Sequence, residues 1–119
     1  MEEGGHSELV RCRPWLEAAM THGTHGWGDI VLGLAKGHYQ FWPAPNGAAI
    51  TEIVVYPKRK VLNIFLAGGD LGQLLDMQAS AAAWAKAQGC DALMMTGRAG
   101  WKRVLTGWRE VATVMEIAI

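Results

Sequence analysis

The sequence predicts an α+β domain: a central mixed, mostly antiparallel sheet of about five strands with helices on both faces. Three observations predict it. Apolar residues recur at helical spacing over residues 8–21 and again over 71–88. Between them, residues 38–67 change to a period of two, interrupted by turn residues. The second helical stretch joins two apolar strand-like runs, which is how a chain reaches a parallel neighbour in the same sheet.

In the first stretch, ELVRCRPWLEAAMT, Leu9, Trp15, Leu16, Ala19 and Met20 lie close to one stripe, and Pro14 predicts either a kink or a late start. The glycine-rich run HGTHGWG breaks it. Asp29 is then placed to cap a short helix over 30–36 that Gly37 closes. Residues 38–42, HYQFW, begin the period of two, and PAPNG supplies a hairpin turn in which Asn46-Gly47 takes positive φ angles. Residues 50–56 and 61–67 are the second and third strands, the third apolar enough to be buried on both faces.

Asp70, with Gln73 three positions on, predicts a capping pair for the long helix; its core face reads Leu71, Leu74, Leu75, Gln78, Ala82 and Ala85. Gly89 stops it, and residues 90–96 follow as a strand parallel to the third. Residues 98–106 form a short helix in which Trp101, Val104 and Leu105 turn inward, away from Arg98 and Lys102. A closing strand over 109–119 alternates Val111, Met115, Ile117 and Ile119 with Glu110, Ala112, Val114, Glu116 and Ala118.

A chain of 119 residues, half of them hydrophobic, fits one domain over 1–119. Eleven basic and eleven acidic residues cancel, so no global field steers it toward nucleic acid or an anionic membrane. No apolar run approaches the ~20 residues of a membrane span. The polar start MEEGGHSE lacks the order of a signal peptide, so a cytoplasmic chain with Cys12 and Cys90 as reduced thiols is expected. His22 and His25 stand three apart near Cys12 and Asp29, but in a glycine-rich loop with no second ligand pair, so no metal site is expected. Six tryptophans, with Tyr39, Phe41 and Trp42 in one strand, need not all fit one small core; any that are exposed together would mark a surface for a partner or a second copy.

The element order, the loop GGDLGQ, the run AWAKAQGCDAL and the ending TGWREVATVMEIAI with its Gly107-Trp108 pair resemble the GNAT superfamily of acyl-CoA-dependent N-acyltransferases. Within it, Gly89-Cys90, the segment Gly97-Arg98-Ala99-Gly100-Trp101-Lys102-Arg103 and the strand Thr51-Glu52-Ile53…Tyr56-Pro57 look most like small members encoded by tailed bacteriophages. The resemblance implies acetyl-CoA as cofactor, with Gly68, Gly69, Leu71, Gly72 and Gln73 at its pyrophosphate, and a small-molecule amine or protein acceptor. It implies proton transfer by Glu52 or Tyr56. Two departures stand out: no Arg or Gln leads the glycine loop, which instead carries Asp70, and Arg103 occupies the place of the family's acid tyrosine. The alternative is a non-catalytic phage virion or assembly component acting through contacts with phage or host proteins.

Overall fold

Pro14 lies inside the first helix and does not end it. Helix α1 spans Glu3–Ala19 in this computed structural model, which describes residues 3–119; Met1 and Glu2 of the polar start lie outside the described residues. Proline costs the bond to the carbonyl four residues back, here that of Val10, whose exposure lets water replace the lost donor. Leu9, Cys12 and Leu16 face inward at helical spacing.

Helix α2 (Trp27–Ala35) starts earlier than expected because Gly26 is its cap. Asp29 instead sits in the first turn and accepts the Gly26 N–H at 2.8 Å. Gly37 ends α2 as predicted: at φ +76° it lets its own N–H reach the Leu34 carbonyl at 3.1 Å and the His38 N–H reach Gly33 at 2.9 Å.

Strands β1 (Tyr39–Ala44), β2 (Gly47–Val55) and β3 (Lys60–Gly69) form an antiparallel meander, and helix α3 (Leu71–Ala87) crosses to β4 (Ala92–Met95), parallel to β3. The sheet order is β1-β2-β3-β4. The β1–β2 turn differs from the expected Asn-Gly turn: Pro45 and Asn46 occupy it, and neither Asn46 nor Gly47 has a positive φ. Tertiary contacts hold it. Arg11 donates to the carbonyls of Pro45 at 2.7 Å and Ala44 at 2.9 Å, the Gln73 side chain accepts the Asn46 N–H at 2.7 Å, and the Asp70 N–H reaches the Asn46 carbonyl at 2.7 Å.

Helices cover both faces. One core joins Leu9, Cys12, Leu16 and Ile30 to Ala48, Ile50 and Leu66; the other sets Ala81 and Ala85 of α3 on Leu62, with Trp42, Trp84 and Leu93 around them. The face of α3 is partly the predicted one: Leu74, Leu75 and Ala85 turn inward as expected, joined by Met77, Ala81 and Trp84, while Leu71, Gln78 and Ala82 are exposed. Gly89, at φ +83°, closes α3.

The fifth strand is absent among the described residues. After a 3₁₀ turn (Ala99–Arg103) in place of the expected longer helix, residues 109–119 pair with no strand, and Val111, Val114, Met115, Ile117 and Ile119 are exposed. Alternation fits a strand for pairing but supplies no partner, since ladder bonds are set by distant chain. All six tryptophans are half-buried, so among the described residues they form no exposed patch, and the most exposed large apolar side chains are those of Val114, Met115, Ile117 and Ile119.

Candidate functional site

Strand β3 carries a break in its ladder at Phe65. Ile50 pairs with Leu66 and Thr51 with Ile64, which leaves Phe65 without a partner on β2. Such a bulge turns consecutive side chains to one face, and Phe65 and Leu66 both pack on the α1–α2 side. Leu62 belongs to the opposite core although it lies four residues from Leu66.

On its other side, β3 loses β4 at the same level. The parallel ladder ends at Ile64 opposite Met95 while β3 continues to Gly69, so a wedge opens between the strands. Ala19, Thr21, His22, Arg98 and Trp101 fold over it and leave a cavity of about 20 Å³, room for one water. Beside it a groove of about 1730 Å³ runs from Glu52 and Asn63 across β4 to the segment around 105–116.

Glu52 stands next to the wedge in register, opposite Asn63 on β3 and opposite Tyr39 on β1. The Tyr39 ring packs on Phe65 at 4.9 Å between centroids, and His25 packs on both, 5.3 Å from Phe65 and 6.3 Å from Tyr39. Gly33 makes this possible because a Cβ there would overlap the Tyr39 ring. Burial pushes the Tyr39 phenol above its ordinary pKa, and the carboxylates of Glu52 and Asp29 act in the same direction. The Thr24 hydroxyl lies 2.7 Å from His25 Nδ1. Glu52 and His25 line the groove, Tyr39 lies behind them against α2, and Phe65 is the residue of this cluster that reaches the wedge cavity.

The glycine loop lies at the far end of β3 from the Lys60 turn. Gly68 meets the α1 backbone, where a Cβ would strike the Trp15 carbonyl, and Gly69 combines φ +106° with close approach to Asn46 and Gly47. Packing thus accounts for both glycines. Asp70 caps α3 by accepting the Gln73 N–H at 2.9 Å, as predicted, but the Gln73 side chain turns to Asn46 and does not complete the pair. The N–H groups of Leu71 and Gly72, in the first turn of α3, have no acceptor within the helix. The Asp70 carboxylate lies beside them, 3.3 Å from where a Gly72 Cβ would be.

No protein-family model matches the chain and no curated protein matches it. Among solved structures it is similar to one described as a "putative acetyl transferase" from Pyrococcus furiosus, at 16% identity and a TM-score of 0.66 over 99% of this chain and 95% of that one. The fold is GNAT-like.

In this GNAT-like fold the predicted residues do not all converge. Glu52 lines the groove and not the wedge cavity. Tyr56 is 47% exposed in the β2–β3 connection, its N–H on the Arg59 carbonyl, and belongs to the opposite end of the ladder from Gly69. The eight residue steps of β2 from Gly47 to Val55 put these ends roughly 25 Å apart. Arg103 is exposed on the 3₁₀ turn, whereas Trp101, Val104 and Leu105 are half-buried as expected. Sequence reasoning missed His25, Tyr39 and Phe65 as neighbours. The aromatic richness of β1 was the available signal; the bulge that gathers them has no marker in the residues of β3.

Among the described residues, no group of three or more His, Cys, Asp or Glu side chains comes together in a way that could hold a metal ion. No helix there is long and apolar enough to cross a membrane.

Proposed function

We propose that this GNAT-like domain is an acyl-CoA-dependent N-acyltransferase that moves an acetyl group to an amine. The observation that carries the reading is the wedge between β3 and β4 beyond Ile64–Met95, lined by the unpaired Phe65 and open beside the groove that Glu52 lines. Backbone groups of residues 65–67 that face the wedge lack a strand partner and are free to bond the amide groups of a pantetheine arm. Leu71 and Gly72 offer N–H groups at a helix N-terminus, the usual place for a phosphate. This donor set fits acetyl-CoA, with the Asp70 carboxylate opposing its phosphates.

Acetyl-CoA, when bound, supplies the acyl group and departs as a free thiol once the new C–N bond has replaced the C–S bond. Glu52 accepts a proton from the attacking ammonium, directly or through a water. The N–H groups at the bulge orient the acyl carbonyl and stabilise charge developing on its oxygen. Tyr39 and His25 pack against Phe65 and fix its ring. Thr21 and His22 must swing aside, since the cavity beneath them admits only about one water.

Calorimetric titration with acetyl-CoA tests the reading. Binding with a dissociation constant between roughly 1 μM and 1 mM is expected, lost in Gly72→Trp. Glu52→Gln lowers acetyl transfer to an amine panel by about 100-fold or more while leaving that binding intact. Absence of binding at millimolar acetyl-CoA overturns it.

A second reading, a non-catalytic association protein of phage origin, draws support from two observations. The loop glycines serve packing and Asp70 occupies the phosphate end. An exposed aliphatic segment is the kind of surface an assembly component uses. The same titration separates the two.

A further inference from the structure

A row of three polar side chains crosses the sheet on the wall of the groove. Glu52 on β2 stands directly opposite Asn63 on β3, so the two share a face with Cβ atoms ~4.5–5.5 Å apart. Both are half-buried and line the groove. Thr96, just past β4, donates its hydroxyl to Asn63 Oδ1 at 3.2 Å, and its own N–H on the Ile64 carbonyl at 3.1 Å holds it there. A carboxamide points its oxygen and its nitrogen to different sides, so with Oδ1 turned to Thr96 the two Nδ2 hydrogens are turned away from β4, toward β2 and Glu52. Among the described residues Glu52 has no ion pair and no side-chain hydrogen bond, and Asn63 Nδ2 donates to no group.

We infer that this pair selects an amine with a carbonyl or carboxylate on the same carbon, and that Asn63 is the specificity-determining residue. The inference rests on the acyl-transfer reading above and names its acceptor. Glu52 holds the ammonium, and Asn63 Nδ2 donates to the oxygen one carbon away. Two short polar side chains on adjacent strands converge on groups this close together. An alkylamine or a lysine side chain satisfies Glu52 but leaves the Asn63 donor without a partner once water is displaced, which disfavours it. Thr96 acts through Asn63 as a positioning residue, since its hydroxyl fixes which way the amide faces.

The location suits the chemistry. Asn63 is two residues from the unpaired Phe65, which lines both the groove and the wedge, so an amine on Glu52 lies beside the point where the acyl group would arrive. The α-ammonium passes one proton to Glu52, its nitrogen forms the C–N bond as the C–S bond of acetyl-CoA breaks, and its second proton goes by way of water to the departing thiolate. A free amino acid and a peptide N-terminus both carry the required groups. The groove, at about 1730 Å³ against ~300–1,000 Å³ for pockets that hold small ligands, has room for peptide residues beyond the first.

Glycinamide and propargylamine, amines of similar basicity of which only the first has a carbonyl, provide the test. With acetyl-CoA, kcat/KM for glycinamide should exceed that for propargylamine by about 10-fold or more, and Asn63→Leu, folded by circular dichroism, should bring the two within about 3-fold. Thr96→Val should narrow the ratio and Thr96→Ser restore it, which a merely structural role for the hydroxyl would not do. Glycine and triglycine amide in the same assay tell which source supplies the acceptor. A second readout needs no acetyl-CoA: the side-chain amide resonance of Asn63 should shift and saturate with glycinamide and stay in place with propargylamine. Equal turnover of the two amines overturns the selection while acyl transfer stands. A shift with glycinamide alone in a chain that turns over neither amine overturns acyl transfer while the selection stands, and an Asn63 resonance that ignores both amines overturns the selection.

Discussion

Gly69 shows most directly how a residue can look like one thing and be another. In the sequence it belongs to a phosphate-loop pattern; in the fold it turns the chain from β3 into α3 at φ +106°, against Asn46 and Gly47. An alanine there suffers both the disfavoured backbone and a collision with backbone atoms that cannot move aside. Gly69→Ala should cost about 1–3 kcal/mol by urea denaturation. A midpoint equal to that of the wild type would mean the glycine serves a ligand instead. Glu52 is a candidate by residue type and strand position, and the fold sets it opposite Asn63 on the lining of the groove.

At the scale of elements, α3 provides a clear contrast. Its start and end were legible because Asp70 and Gly89 act through bonds to nearby backbone. Its face was legible only in part. Leu71 drew the predicted stripe toward Gln78 and Ala82, whereas Ala81 joins the predicted Ala85 in the close contact with the sheet. Ala81→Glu places an unpaired carboxylate against Leu62 and should cost more than about 3 kcal/mol, while Ala83→Glu, on the exposed side, should stay within about 0.5 kcal/mol. Comparable thermal melts for the two variants would return the helix to its predicted orientation. The meander and the parallel crossover could be read from period and order. The bulge, the wedge and the failure of 109–119 to pair could not, because each depends on register between segments distant in sequence.

For the molecule as a whole, balanced charge leaves little long-range field, so pH acts through particular pairs. Arg11 joins Glu8 on α1 to the β1–β2 turn, and its hydrogen bond to Glu8 holds that carboxyl below the usual range. A lowered folded-state pKa stabilises the fold above the unfolded value, and the effect fades as pH falls through the folded one. The melting temperature of wild type should exceed that of Glu8→Gln at neutral pH, and the gap should close in acid and shrink in high salt. A gap that persists below the carboxylate range would assign it to packing.

The unpaired Phe65 also bears on how this backbone can be redesigned. β3 behaves as two short strands in opposite phase, with Leu62 addressing α3 and Leu66 addressing α1. A designer who wrote polar and apolar residues in strict alternation from Lys60 to Gly69 would turn one half of the strand inside out. The pattern must skip one beat at Phe65, and deleting that residue should oblige the chain to choose which of its two cores to keep.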